Sequence, residues 1–179
     1  MISFLIDSKT FMNPWQSLEK YCNRKLRLLE KDSIAYTYKE LSDKEEKKDH
    51  IKILVDLHRK KWDKTTTPSQ FKDARNIDLY YSLIEHLSHE NTILNILYFG
   101  ENPVALHFGF KDIDSIYYYK PIYDTDYHKY SPGKLLLFFM ICNCRENRYK
   151  YFDFLRGEEK YKLELMTDLF SNYNIIIDG

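Results

Sequence analysis

The stretch that most constrains this chain runs from Tyr130 to Lys162, YSPGKLLLFFMICNCRENRYKYFDFLRGEEKYK. It holds the longest unbroken apolar run, Leu135–Cys142, and two of the chain's five glycines, Gly133 and Gly157. The run follows Ser131-Pro132-Gly133 and reads as a buried helix opened by Gly133, reaching about Glu146, with Asn147 as a left-handed cap. Tyr149–Phe154 follows as a strand, apolar on both faces except at Asp153, and Arg156–Lys162 follows as a polar loop. A helix start beside a strand end is where an α/β protein holds an anionic ligand. The rest of the chain is read as scaffold for that unit.

The scaffold begins with a short strand at Ser3–Ile6. Asn13, Pro14 and Gln16 at N-cap, N1 and N3 open a helix to about Lys31, apolar at Trp15, Leu18, Cys22, Leu26 and Leu29 and basic at Arg24, Lys25, Arg27 and Lys31. Ile34–Lys39 alternates as a strand does, and Ser42–Glu45 is a capping box opening a helix that carries Ile51, Leu54, His58 and Trp62. One or two further helices reach His89. The period then changes to two: Thr92–Phe99 and Val104–Lys111 flank Gly100-Glu101-Asn102 as a hairpin, and Ser115–Lys120 completes a meander stopped by Pro121. Gly109 inside the second strand marks a bulge or a close backbone approach. After the polar loop Tyr123–Tyr130 and the central stretch, Leu163–Met166 and Asn174–Ile177 read as final strands.

A chain of 179 residues builds one domain with a real core. Lysine plus arginine equals aspartate plus glutamate at 27 each, which argues against a non-specific nucleic-acid binder but leaves room for a local basic patch. No apolar run approaches the ~20 residues of a membrane span, and the N-terminus lacks a secretory signal, so a cytoplasmic protein is expected. Cys22, Cys142 and Cys144 lack a framework spacing and the second pair that a metal site needs, so they read as buried thiols and no metal is expected.

Three constellations can carry chemistry. The first-turn N–H groups after Ser131-Pro132-Gly133-Lys134-Leu135, with the helix dipole, suit a pyrophosphate, although Ser-Pro-Gly is also an ordinary turn. Asp153 with Arg156, Glu158, Tyr161 and Lys162 gathers titratable groups at a strand end, either as an ion pair that shapes the loop or as a base or substrate anchor. His58 and Arg59 sit late in a long helix, where a single histidine is more often structural.

Taken in order, these elements resemble the GNAT acyltransferases of the CelD-type (BioF2-like) branch, relatives of the Fem peptidyltransferases. The resemblance covers about Trp15–Leu165. It rests on the Arg24-Lys25-Leu26 helix, Leu57–Trp62, Tyr130–Gly133 and, most specifically, Phe152–Lys162. Ser131 and His128 stand where the wider family has glycine and arginine or glutamine. The resemblance implies an α/β (α+β) fold whose mainly antiparallel sheet splits between Ser115–Lys120 and Tyr149–Phe154. An acyl-CoA would lie in the split with its pyrophosphate at Ser131, Pro132, Gly133, Lys134 and Leu135. The implied activity is acyl-CoA-dependent N- or O-acyl transfer to an acceptor linked to sugars or polysaccharide. Asp153 or Glu158 would serve as base, Tyr161 as acid, and His58, Arg59, Arg156 and Lys162 as acceptor-binding groups. The lobe that usually precedes this one is expected to be absent, leaving a single domain over 1–179, a homo-dimer or half of a two-lobe assembly. The alternatives are a non-catalytic binding module and a Fem-like transferase using aminoacyl-tRNA.

Overall fold

The structure is a computed structural model that describes residues 2–7, 12–63, 65–88, 90–157 and 159–171. In chain order the elements are β1 (Ile2–Asp7), α1 (Met12–Lys31), β2 (Tyr36–Leu41), α2 (Lys44–Trp62), α3 (Ala74–His86), β3 (Thr92–Phe99), β4 (Asn102–Lys111), β5 (Ser115–Tyr123), α4 (Pro132–Glu146), β6 (Tyr151–Arg156), α5 (Lys160–Leu165) and β7 (Asp168–Ser171). Short 3-10 turns occupy Gln70–Lys72 and Thr125–Tyr130. The strands form one sheet in the order β2-β3-β4-β5-β6-β1-β7, antiparallel throughout except for the β5–β6 pair.

Helices cover both faces of the sheet, so its middle strands are apolar on both sides. On one face α1 and α4 bury Trp15, Leu18, Cys22, Leu135 and Phe138 against Leu97, Ala105, Ile116 and Phe152. On the other, α2 and α3 bury Ile51, Leu54, Tyr80 and Ile84 against Leu94, Ile96, Phe108 and Ile122. Wedged between α1 and the sheet, α4 has no polar face along Leu135–Phe138. Trp15 stacks on Phe138 with ring centroids 5.2 Å apart. Asp43 caps α2 by accepting the Glu46 N–H at 2.8 Å, so the capping pair is Asp43 and Glu46.

Several boundaries differ from the sequence reading. α1 starts at Met12, before the expected Asn13 cap. Pro121 does not stop β5, which runs on to Tyr123, because the strand has lost one neighbour by then and a proline is tolerated at such an edge. Arg148, at φ 62°, takes the left-handed position after α4, while Asn147 stays at φ −84°. Leu163–Met166 is not a strand: Leu163–Leu165 belong to α5 and Met166 follows as its cap. His89 and the expected strand Asn174–Ile177 lie outside the described residues. No helix among the described residues is long and apolar enough to cross a membrane.

Gly109 meets the expectation of a close approach. A Cβ there would overlap the His107 ring and the Tyr117 backbone carbonyl. The carbonyl cannot swing aside as a flexible side chain does. Gly109→Ala is therefore expected to destabilise the fold by about 1–3 kcal/mol in urea unfolding. Gly100→Asn, in the open left-handed position of the β3–β4 turn, should stay within about 0.5 kcal/mol of the parent.

Candidate functional site

β5 and β6 run side by side for three register pairs, Ser115–Tyr151, Ile116–Phe152 and Tyr117–Asp153, and then part. Both strands carry an extra residue where they separate. Between β4 and β5, Phe108 opposes Lys120 while Phe110 opposes Tyr117, so β5 bulges around Tyr118 and Tyr119. Between β1 and β6, Leu5 opposes Asp153 while Ser3 opposes Arg156, so β6 bulges around Phe154 and Leu155. His107 holds the first bulge. Its Nε2 accepts the Tyr119 N–H at 3.1 Å, and its ring stacks on Tyr118 at 4.7 Å and 8°. The imidazole is fully buried, and burial pushes its pKa down to about 3, which keeps the ring neutral and Nε2 free to accept. The second bulge has its own clamp: the Asp153 carboxylate accepts the Leu155 N–H at 2.6 Å, and Leu155 turns to φ 57°.

On the α1/α4 side, the split faces the start of α4. Ser131 precedes the helix at φ 56°, and its carbonyl accepts the N–H groups of Lys134 and Leu135 at 3.0 and 3.1 Å. Pro132 has no N–H, which leaves the Gly133 N–H as the open donor of the first turn. A Cβ at Gly133 would come within 2.9 Å of the Tyr123 ring, so glycine is what lets β5 and α4 meet. The Ser131 hydroxyl bonds that of Tyr21 on α1 at 2.7 Å. Three cations surround the Tyr21 ring: Lys134 at 4.7 Å, Arg24 at 5.3 Å and Lys25 at 5.7 Å. Lys25 also donates to the Lys129 carbonyl at 2.6 Å. None of Lys134, Arg24 and Lys25 joins an ion pair among the described residues. The basic face of α1 and the start of α4, separate motifs in the sequence, are thus one electropositive site. Beside it a cavity of about 210 Å³ is lined by residues that include Leu18, Tyr21, Lys134, Leu137, Tyr161 and the carboxylate of Glu164. Burial raises the Tyr161 hydroxyl above the usual phenol range, so it stays protonated.

The opposite face of the split carries Asp153. Phe152 and Phe154 point into the α1/α4 core, so strand alternation turns Asp153 toward the α2/α3 side. Burial raises its carboxyl above the ordinary value, while the Leu155 N–H and Lys162 oppose the rise. Asp153 and Tyr161 therefore flank the split from opposite faces.

The structure places the remaining expected residues as follows. Lys162 is buried, donates to the Arg156 carbonyl at 2.8 Å and pairs with Glu159 at 2.9 Å, so it closes the loop. Gly157, at φ 124°, is required there, since a Cβ would press on Glu159 and Lys162. Arg156 is exposed, and Glu158 lies outside the described residues. His58 bonds Ser69 at 2.8 Å and Arg59 donates to the Phe71 carbonyl at 2.6 Å; both fasten α2 to the Gln70–Lys72 turn. Burial pushes the Cys22 and Cys144 thiols up to about 12, which keeps them protonated. No cluster of three or more potential metal ligands occurs among the described residues. Sequence reasoning did not single out His107, Tyr21 or Tyr123. The one signal for His107 was Gly109, two residues on.

The chain matches the profile of the family described as an acetyltransferase (GNAT) domain over residues 16–163. No curated protein sequence matches it significantly. Among solved structures it is similar to FemX, with a TM-score of 0.64, 10% identity, and coverage of 94% of this chain and 58% of that one. It is similar to L-PGS from Bacillus licheniformis, with a TM-score of 0.57, 14% identity, and coverage of 92% and 55%. It is also similar to a possible acetyltransferase from Clostridium difficile, with a TM-score of 0.60, 9% identity, and coverage of 80% and 99%. The chain spans a little over half the length of FemX and L-PGS.

The buried histidines give a signed pH dependence. The His58 pKa is pushed from 6.5 down to about 4, chiefly by burial and also by Lys120 and Lys61, so the unfolded chain takes up a proton before the folded one does. Stability is complete above pH 6.5 and falls as the pH drops toward 4, by about 1.4 kcal/mol per pH unit for each such histidine. His58→Gln is expected to flatten the fall measured by denaturant unfolding between pH 6.5 and 4. His107 contributes to the slope that remains, together with carboxylates that their partners hold below the usual range, such as Glu85 beside Lys44 and Lys48.

Proposed function

We propose that this chain, which belongs to the acetyltransferase (GNAT) domain family, transfers an acyl group from an acyl-CoA to an amine or hydroxyl acceptor. The observation that carries the reading is the split between β5 and β6 opening beside the start of α4, where the Gly133 N–H and three unpaired cations meet. A pyrophosphate suits that cluster, because oriented N–H groups and fixed cations favour it without reorganisation. The cavity along α4 and α5 would take the donor's next segment toward the split.

In the reaction, the acceptor nitrogen or oxygen attacks the thioester carbonyl carbon. The new C–N or C–O bond forms, the C–S bond breaks, and the thiolate leaves. Asp153 is assigned as base for the acceptor's proton, since burial makes it a stronger base than an exposed carboxylate. Tyr161, protonated and on the donor side, is assigned to give the departing thiolate its proton. The amides on the open edge of β5 are assigned to the thioester oxygen, but the Tyr119 N–H is already taken by His107. Arg156 is assigned to an anionic acceptor, and Lys162 orders the loop. The Phe152–Lys162 block supports the CelD-type branch and a sugar or polysaccharide precursor as acceptor. One lobe suffices in this reading, as the Clostridium difficile protein has the same fold at comparable length.

The cation cluster also favours a second reading, a Fem-like transferase that holds the acceptor end of an aminoacyl-tRNA by its phosphates. Thermal shift separates the readings. Acetyl-CoA or a longer acyl-CoA at a hundredfold excess over its Kd should raise Tm by about 5 °C or more. Gly133→Glu should abolish the shift. No response to any acyl-CoA, with salt-sensitive tRNA binding lost on reversing Arg24, would decide for the tRNA donor. No response to either leaves a binding module.

Once a substrate pair is found, Asp153→Asn should lower kcat by about 10²–10⁴. Asparagine can still accept the Leu155 N–H, so unfolding midpoints should stay close to the parent. Tyr161→Phe should lower kcat by about 10²-fold, the loss of a general acid for the departing thiolate.

A further inference from the structure

His107 has a second ring nitrogen, and its partner lies on the strand away from the split. Nε2 accepts the Tyr119 N–H. A backbone N–H can only donate, so Nε2 is bare and the neutral ring keeps its one proton on Nδ1. Histidine free in water favours the opposite tautomer, so a neighbour must hold this one. Nδ1 lies 3.3 Å from the side-chain amide of Asn95, its cross-strand partner on β3. Asn95 is 1% exposed.

The Asn95 amide also meets the Tyr38 hydroxyl of β2 at 2.7 Å. One end of the amide therefore faces the imidazole and the other the phenol. An NH2 turned to the ring would meet the Nδ1 proton donor to donor, which is unfavourable in so buried a place. The amide instead presents its oxygen to Nδ1–H and its NH2 to the Tyr38 oxygen. Tyr38 is held by stacking on Phe139 of α4 at 5.7 Å and 25°. Glu40 and Asn143 bear on its hydroxyl, and Asn143 donates to Glu40 at 2.7 Å. Every link thus donates away from the split: Tyr119 to His107, His107 to Asn95, and Asn95 to Tyr38. A carboxylate only accepts, so Glu40 suits the far end of such a chain.

We infer that Asn95 is a positioning residue of the split: by fixing the Nδ1–H tautomer of His107 it sets the bulge of β5, and with it the open strand edge that takes the thioester oxygen. Asn95 is buried two strands from that edge and acts only through His107. For the thioester the inference rests on the acyl-transfer reading. For the bulge it rests on the hydrogen bonds alone.

The test reads the tautomer directly. Long-range ¹H–¹⁵N spectra of the intact, ¹⁵N-labelled chain at neutral pH should show His107 with a bare Nε2 and a protonated Nδ1. A proton on Nε2 would overturn the inference, and this measurement needs no variant. Asn95→Leu removes the acceptor, so the Tyr119 amide should exchange with water about tenfold faster, relative to the Leu97 amide as a reference for global opening. Asn95→Asp can only accept, so it should keep both the tautomer and the protection. Protection in Asn95→Leu equal to the parent would also overturn the inference. Acetyl-CoA labelled with ¹³C at its carbonyl then reports on the edge itself. Its carbonyl signal should move to higher frequency on binding to the parent, and less far on binding to Asn95→Leu, with the binding midpoint kept within about twofold. An equal displacement in both would remove Asn95 from the positioning of the thioester. No binding of acetyl-CoA to the parent would remove the acyl-CoA reading, while the tautomer and the Tyr119 exchange would still decide whether Asn95 sets the bulge.

Discussion

The hydrogen bond from the Tyr119 N–H to the buried His107 Nε2 is the contact on which the site depends. In a regular ladder, that N–H would seek a carbonyl on β4. Here the imidazole reaches it from the same strand, over the space that Gly109 leaves empty. The extra residue in β5 then fits without an orphaned donor, which would be unfavourable in so buried a place. Once β5 is offset, it cannot stay in register with β6, and the strands share only three pairs. Asp153 makes the matching offset on β6 through the Leu155 N–H. The cleft is therefore produced by two side-chain-to-backbone bonds, one across the β4–β5 pair and one within β6.

This explains what could be read from the chain and what could not. The hairpin of β3 and β4, the apolar α4 and the order of elements follow from period and turn chemistry, which are local properties. Gly109 stood out because a glycine in a strand interior needs a reason. His107 did not, since its place in the alternation resembles any inward position of a half-buried strand. Its role depends on register with β5, which no single strand encodes. Leu163–Met166 was misjudged for a related reason. Lys160–Leu165 is short enough to fit either period. The loop before it is closed by Lys162, which reaches back to the Arg156 carbonyl and to Glu159, and so starts a helical turn.

Asp153 with Arg156, Glu158, Tyr161 and Lys162 read either as an ion pair that shapes the loop or as a base or substrate anchor. In the structure Gly157 and Lys162 are architectural, the first by its φ of 124° and the second by burial of its charge on a carbonyl and one carboxylate. Their fixed spacing is what the loop needs in order to set Tyr161 against Phe154 at 6.0 Å and on the cavity wall. His58 and Arg59 have the same character, holding the Gln70–Lys72 turn and thereby Gln70, the partner of Lys120.

Charge is where the sum over the sequence misleads most. The chain is neutral, with 27 cations and 27 anions, yet its charges are not evenly matched in space. Glu85 is held by Lys44 and Lys48, Glu40 by Lys111, Asp32 by Lys129, Asp124 and Asp126 by Lys60, and Glu159 by Lys162. The exposed pairs among these contribute only about 0–1 kcal/mol each to stability. Their larger effect is on the field, because each removes an acid that might otherwise neutralise the cleft. Among the described residues, Arg24, Lys25 and Lys134 beside the split remain without a carboxylate partner. Low-dielectric walls concentrate the potential of such groups in a cleft, so a chain of zero net charge presents an anion-attracting surface beside the gap between β5 and β6.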